Sequence, residues 1–473
     1  MWSASIQHDL ARPGGLRRRL SIPNPVNFFR LSKAFEQHQA ALSIEWNKSP
    51  ISFTKPNLNL ASGRGIAPDA RDRASPRVAA RVGARYVLHT DIAQFYPSIY
   101  THSIPWVLHT KAVAKSSIGN MALVGNLLDK EFQACQQGQT KGIAIGPDTS
   151  LGIAELLLSP LDQRIMAECN VVGGCRFIDD IELTFRTLSD ADSALTKLEA
   201  LLSDLELQPN ALKTRIEELP VSLDSNVSTS LRGNLPPDTN AAQSQWIDYF
   251  NRAFAVAKED RTAGVLRYAV AALSGVQPTT WCWSTVQQLL WQCITIDPGC
   301  IRHVVDVIAI NRLRGGLVPD VDLAAKAIDS VIRTSAVSGH ASEVVWSIWT
   351  AMYIGFQIKL DAQNAITAMD DALVATAAMF AGTATHVFSQ PIDSRLWRSW
   401  LQQDCFYQEY WLFAYEAYRR GWFPNEVAAS QIAQDPCAAF LNNSGVTFIV
   451  DNAVAAYVPQ RAQAGGGGGG GGY

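Results

Sequence analysis

The apolar and polar positions of this chain change period part-way along it. Residues 175 to 185, CRFIDDIELTF, read as a short apolar run, two adjacent aspartates, and a run in which Ile181, Leu183 and Phe185 alternate with Glu182 and Thr184. A period of two puts the two sets on opposite faces of a strand, and Asp is a favoured turn residue. The pattern therefore predicts a hairpin with Asp179 and Asp180 at its turn. Upstream, Tyr86 to Thr90 reads as a strand that ends at Asp91. In KGIAIGPDTSLGIAELL, Gly142 and Gly146 allow close backbone approach, and Asp148, Thr149 or Ser150 can cap the helix that follows. Pro160 lies inside that helix and predicts a kink, because its ring removes a backbone donor and crowds the preceding turn. Ala191 to Leu205 has the helical period, and LELQPNALKTRIEEL carries Lys213 after it.

From about residue 240 the strand signal fades and helical periodicity takes over. Val345, Trp349, Met352, Tyr353 and Phe356 fall on one predicted helix face, and Trp411, Tyr415, Tyr418 and Trp422 repeat the spacing. Gly421 and Pro424 mark the end of that second helix. Ten of the 13 tryptophans lie at or beyond Trp246, which predicts an aromatic core among stacked helix pairs. No fixed repeat length emerges, so the packing is expected to be irregular. Between the two textures, residues 220 to 245 are polar and Ser/Asn-rich with Pro236-Pro237, as a linker is. The class is α+β: a mixed first half and an all-α second half.

At 473 residues and 47% hydrophobic, the chain can bury a sizeable core and fill two or three domains. Its eight cysteines show no CxxC pair and no His at ligand spacing, which predicts buried free thiols rather than a disulfide framework or a zinc site. The first residues lack the apolar core of a signal peptide, and the apolar run from Ala372 to Gly382 is too short to span a bilayer. A cytoplasmic protein without a membrane partner is expected. Net charge is −3, yet residues 1 to 90 carry 14 Lys/Arg against 5 Asp/Glu, which is +9 and leaves −12 for the rest. A basic N-terminal part suits phosphates, with Arg17, Arg18, Arg19, Arg64, Arg71, Arg73 and Arg85 as candidates. For any one of them a solvated surface charge is the favoured reading.

The candidate chemistry is carboxylate chemistry. Asp179 and Asp180 on a hairpin, joined by Asp91 at the end of another strand, have the character of a two-cation site for phosphoryl transfer. Hard cations such as magnesium prefer such oxygens. Tyr96 puts an aromatic ring one short turn beyond Asp91, and His89 is expected to be a strand residue rather than a base.

Taken in order, these elements resemble the palm of reverse transcriptases, with motif A at Asp91, motif B at Gly146 to Ser150, motif C at Phe177 to Asp180 and motif D around Asn210 to Thr214. The stretches RRRLSIPNPVNFFRL, DIAQFYPSIYTHSIPW and GIAIGPDTS are most similar to the bacterial abortive-infection and defence-associated (unknown-group) branch. In that branch an α-helical, HEAT-like domain follows the palm, and HASEVVWSIW and YWLFAYEAYRRGWF are similar to it. The resemblance in the motifs covers about the first half of the chain. It implies an α+β right-hand polymerase: fingers over residues 1–90, palm and linker over 91–235, a HEAT-like helical repeat domain over 236–455, and a flexible Gly-rich tail over 456–473.

The resemblance further implies DNA synthesis from dNTPs in antiphage defence. Two Mg²⁺ ions, with Mn²⁺ as an alternative, would be held by Asp91, Asp179 and Asp180, and Lys213 would be a general acid toward pyrophosphate. Ile92 (through its carbonyl), Tyr96, Gly146 and Ser150 would contact the nucleotide, with the Tyr96 ring excluding a ribose 2′-hydroxyl. Implied partners are dNTPs, a single-stranded DNA product, an RNA template or non-coding RNA, and other copies of the chain in a homo-oligomer. Two positions depart from the pattern. Ile145 precedes Gly146 where Gln is usual, which opens template-independent or protein-primed synthesis, and Tyr473 at the tip of the glycine tail offers one mobile hydroxyl. Phe177 replaces the commoner Tyr and keeps the ring. Two other readings stay open: an RNA-synthesising polymerase, which Tyr96 opposes, and a nucleic-acid-binding scaffold without turnover. The helical aromatics can be base-stacking platforms or core, and their spacing favours core.

Overall fold

The structure, a computed structural model, describes residues 1–59, 64–68, 73–223, 226–238 and 240–459. Arg71, Tyr473 and the tail from residue 460 lie outside the described residues. The fold is α+β, with one four-stranded antiparallel sheet and many helices. No described helix is long and apolar enough to cross a membrane. All eight cysteines are free, and six of them are buried. The chain divides into two compact units. Of the described residues, one comprises those in 1–5 and 21–223, and the other those in 6–20 and 226–459.

In the first unit the sheet is built from β1 (Tyr86–Thr90), β2 (Gly173–Phe177), β3 (Asp180–Phe185) and β4 (Arg215–Glu218), in the order β2-β3-β1-β4. Three helices frame it: α1 (Ala74–Arg81), α2 (Asp148–Glu168) and α3 (Leu188–Ser203). Ile181, Leu183 and Phe185 of β3 join Leu88 of β1 in a core with α2 and α3. Glu182 and Thr184 face the other way, and they are buried too. There α1 lies on the sheet, with Ala80 accepting from the Thr184 hydroxyl at 2.6 Å and Arg81 donating to Glu182 at 2.7 Å. Gly173 makes that contact close, since a Cβ there would sit 2.6 Å from the Ala80 carbonyl oxygen. The predicted alternation is thus present, but both faces are covered.

Helix α2 is buried on nearly every side, which explains why it is rich in Leu and small residues rather than amphipathic. The helix continues through Pro160 from Asp148 to Glu168, with Leu158, Ser159 and Leu161 buried around the proline. No side chain caps its start: Pro147 is the capping residue, and the Thr149 and Ser150 hydroxyls are buried instead. Helix α3 begins three residues earlier than its apolar period indicates. The Thr187 hydroxyl caps it by accepting from the Asp190 N–H at 3.1 Å.

The second unit is a run of helix pairs: α4 (Gln243–Glu259) with α5 (Val265–Ala272), α6 (Thr280–Ile296) with α7 (Ile301–Gly315), α8 (Val321–Val337) with α9 (Ala341–Ile354), and α10 (Leu360–Thr367) with α11 (Ala372–Ala384). Each helix also packs on the next but one, giving a row α4-α6-α8-α10 and a row α5-α7-α9-α11, and α12 (Trp411–Arg420) extends the second row. Trp246, Trp291, Trp397 and Trp411 are fully buried, so much of the aromatic signal is core. The region expected to be a linker holds a short helix, Asn226–Arg232.

Two expectations need correction in this unit. On α9 the buried face is Ala341, Val344, Ile348 and Ala351, not the aromatic stripe. That helix is apolar on several sides, and its small residues are the ones that allow close packing. Val345, Trp349, Met352 and Tyr353 are half-buried, and Phe356, beyond the end of α9, is buried; the Tyr457 ring sits 4.6 Å from Trp349, and the Tyr457 hydroxyl donates to Asp306. The N-terminal hairpin, strands Ile6–Ala11 and Arg17–Ile22, also groups with this unit through residues 6–20. Arg17 is bonded to Glu343 of α9 at 2.5 and 2.8 Å and is not a free cation for phosphate.

Candidate active site

Strand pairing brings the three predicted carboxylates to one end of the sheet. Thr90 of β1 lies opposite Ile181 of β3, so one further step along the register sets Asp91 opposite Asp180. Phe177 pairs with Asp180, leaving Ile178 and Asp179 as the two residues of the hairpin turn. Burial and the neighbouring Asp91 push the Asp179 carboxyl up to about 6.

The segment 208–214 runs beside the end of β1. Ala93 donates to the Gln208 carbonyl at 2.9 Å, Asn210 donates to the Asp91 carbonyl at 2.6 Å, and the Thr90 and Thr214 hydroxyls are 2.7 Å apart. These bonds place Lys213 over the site, with Nζ 2.5 Å from Asp91 Oδ2. Ile92 is buried and bridges Pro209, which leaves only its backbone for any ligand.

Beyond Asp91 the chain turns through Gln94 at φ 45° into the short helix Phe95–Ser98. The glycine loop is tied to that turn. Ile143 donates to the Tyr96 carbonyl at 3.0 Å and Gly142 to the Ile99 carbonyl at 2.8 Å. Tyr96 is half-buried with its ring 5.3 Å from Phe95. Gly146 is exposed at φ +124°, a conformation that L side chains rarely adopt, and a Cβ there would meet open space. Ser150 is 1% exposed, so its hydroxyl is part of the interior.

Opposite the carboxylates, α1 and the residue before it present Arg73, Arg77 and Arg81 one turn apart. Arg77 bonds Asp180 at 2.8 Å and approaches Glu182 at 3.4 Å, while Arg73 lies 3.9 Å from Asp180 and over the Phe177 ring. His89 sits between Glu182 at 3.4 Å and Glu217 at 3.8 Å, with its pKa lowered chiefly by burial, so it is a strand residue away from Asp91. Of the other arginine candidates, Arg18 is exposed, Arg19 is 3.6 Å from Asp9, Arg64 pairs with Asp148, and Arg85 pairs with Glu218 at 2.9 Å.

Sequence reasoning missed Arg77 and a buried cluster behind the hairpin. The signal for Arg77 was the i, i+4, i+8 spacing of the three arginines. In the cluster, Arg176 is fully buried and donates to Glu155 at 2.9 Å through both terminal nitrogens and to Asp162 at 2.7 Å through Nε. Its signal was Glu155, Ser159 and Asp162 on one side of an otherwise apolar helix.

Oxygen donors from three carboxylates suit a magnesium-type cation. Among the described residues, however, no three His, Cys, Asp or Glu side chains are arranged as a metal cage. The outer two carboxylates are drawn instead to Lys213 and Arg77. Burial first, and then the neighbouring Asp91, keep the Asp179 pKa raised even with Lys213 near, the condition in which a cation relieves carboxylate repulsion. The donor chemistry therefore fits a divalent cation. No protein-family model matches the chain, and no curated protein matches it.

Proposed function

We propose that this chain is a reverse transcriptase-type DNA polymerase, adding deoxynucleotides by two-metal nucleotidyl transfer in antiphage defence. The observation that carries the reading is the meeting of Asp91 with the Asp179–Asp180 turn at one end of an antiparallel sheet, with Lys213 and the arginines of α1 around them. Asp91, Asp179 and Asp180 would hold Mg²⁺, or Mn²⁺ in its place, and the bound cations would supply an activated primer hydroxyl and charge neutralisation on the leaving pyrophosphate. Lys213, bonded to Asp91 in the structure, would give a proton to the leaving group. Arg73 and Arg77, beside Asp180, would meet triphosphate oxygens. Tyr96 and the exposed backbone at Gly146 would border the nucleotide, the Tyr96 ring favouring deoxyribose. The stacked helix pairs of the second unit support its likeness to a HEAT-like domain. Template, non-coding RNA and assembly into a homo-oligomer belong to the same proposal.

The test is incorporation of labelled dNTPs by the full chain with Mg²⁺ or Mn²⁺, with and without RNA template. Polymer is expected from wild type, with a loss of at least about 10³-fold in Asp179→Ala plus Asp180→Ala, in line with the weight of charge stabilisation in such reactions. Product that survives the double change removes the assignment, and preference for ribonucleotides defeats the role given to Tyr96. The pairing of both outer carboxylates with cations favours one second reading, a nucleic-acid-binding unit without turnover. Binding of single-stranded DNA with no incorporation under either metal would establish it.

A further inference from the structure

The turn that carries Asp179 is held in a conformation its own sequence disfavours. Ile178 has φ 61°, and the first central position of a two-residue hairpin with that geometry normally takes Gly. A β-branched residue persists there only where its surroundings over-determine it. Two bonds from outside the turn do so. The Ile178 carbonyl accepts from Arg176 at 2.8 Å, and the Ile178 N–H donates to the Thr54 hydroxyl at 2.9 Å.

Both of those partners are fixed from α2. Arg176 spans Glu155 and Asp162, and the Thr54 hydroxyl donates to Glu155 at 2.7 Å. The segment leading to Thr54 is anchored on the same helix face, with Ser49 donating to Asp162 at 2.6 Å and Ser52 to Glu155 at 2.8 Å. It also runs alongside β2, where Arg176 donates to the Ile51 carbonyl at 2.8 Å and Phe53 to the Arg176 carbonyl at 2.9 Å. A buried arginine with two carboxylates is weak as a stabilising device, since apolar residues of similar volume usually do as well. What it supplies here is direction, because Arg176 and Thr54, both held by Glu155, each bond the backbone of Ile178, the residue next to Asp179.

We propose that Arg176 and Thr54, oriented by Glu155 and Asp162, are positioning residues that set Asp179 and Asp180 for cation binding; this rests on reading those two aspartates as cation ligands. Residues that orient metal ligands without touching the metal typically change affinity by roughly 10- to 100-fold when altered. Thr54→Val removes the hydroxyl that meets Ile178 and Glu155 while keeping shape, and Thr54→Ser restores it. Arg176→Lys keeps the charge but loses the fork that reaches Glu155, Asp162 and the Ile178 carbonyl together.

The test uses the full chain and two readouts. One is amide hydrogen exchange over residues 176–181, alongside the thermal midpoint. The other is the Mg²⁺ concentration giving half-maximal dNTP incorporation. Thr54→Val is expected to speed exchange at the turn, to raise the Mg²⁺ requirement roughly tenfold and to lower the thermal midpoint, because Glu155 and the Ile178 N–H each lose a buried partner, and Thr54→Ser to return all three to wild type. Arg176→Lys is expected to move all three further. Turn exchange and Mg²⁺ requirement equal to wild type in Thr54→Val would overturn the proposal, as would failure of Thr54→Ser to rescue. If wild type incorporates nothing under any metal, the polymerase reading falls, while turn exchange still decides whether Thr54 and Arg176 hold the hairpin.

Discussion

Asp179 is the residue where charge and burial collide. Its carboxyl, raised to about 6 by desolvation and by Asp91, binds a proton more tightly folded than unfolded. The sign follows: its stabilising contribution is complete below about pH 4, the ordinary carboxylate range, and is lost as pH rises through about 6. In metal-free buffer, Asp179→Asn is therefore expected to be more stable than wild type at pH 8 by on the order of 1–2 kcal/mol. Urea melts from pH 4 to 8 should show the gap closing toward acid; a gap independent of pH would mean the carboxylate is not repelled there. Lys213 and Tyr96 were legible as residues near Asp91 because motif spacing put them in reach. Arg77 and Arg176 were not, since nothing in a local window tells which arginine will be turned inward.

At the scale of elements, the sheet was readable because period-two alternation and an Asp-Asp turn leave few other solutions. Its boundaries at Tyr86, Thr90 and Phe185 fall where the pattern puts them. What the pattern did not convey is that the polar side of β3 is also interior. Gly173 is the test of that packing, because α1 rests directly on its backbone. Gly173→Ala is expected to push α1 off β2 and to cost about 1–3 kcal/mol by overpacking, measured by urea unfolding. A neutral effect would mean that α1 is loosely seated. Helix α9 shows the converse failure: with apolar residues on several sides, periodicity could not choose a phase, and the larger side chains suggested the wrong one. Contacts with α8 and α11 favoured the small residues instead.

For the molecule as a whole, two units with separate cores explain why the chain changes texture near residue 240. The N-terminal hairpin belongs to the helical unit, which sequence order gives no reason to expect. Its anchor is Arg17 on Glu343, the latter only 5% exposed in its side chain. Arg17→Met strands that carboxylate and is expected to cost about 2 kcal/mol, read as earlier unfolding of the helical unit in proteolysis of residues 240–459. An unchanged digestion pattern would place the anchor elsewhere. The basic excess of residues 1–90 is likewise reduced in meaning, because Arg17, Arg64, Arg77 and Arg85 are already paired with carboxylates.

By itself the sequence determined the strand that ends at Asp91 and the two that flank the Asp-Asp turn, the turn itself, the helical second half and the set of carboxylates, because each depends on residue period or on chemistry within a short window. Tertiary structure alone decided which cations sit on those carboxylates, which face of α9 is interior, that α2 passes through Pro160 unbroken, and that a buried arginine grips the turn. Those outcomes depend on which surfaces meet, at separations from 14 residues for Arg176 and Asp162 to 122 for Lys213 and Asp91, and on the drive to pair every charge and polar group that the meeting removes from water.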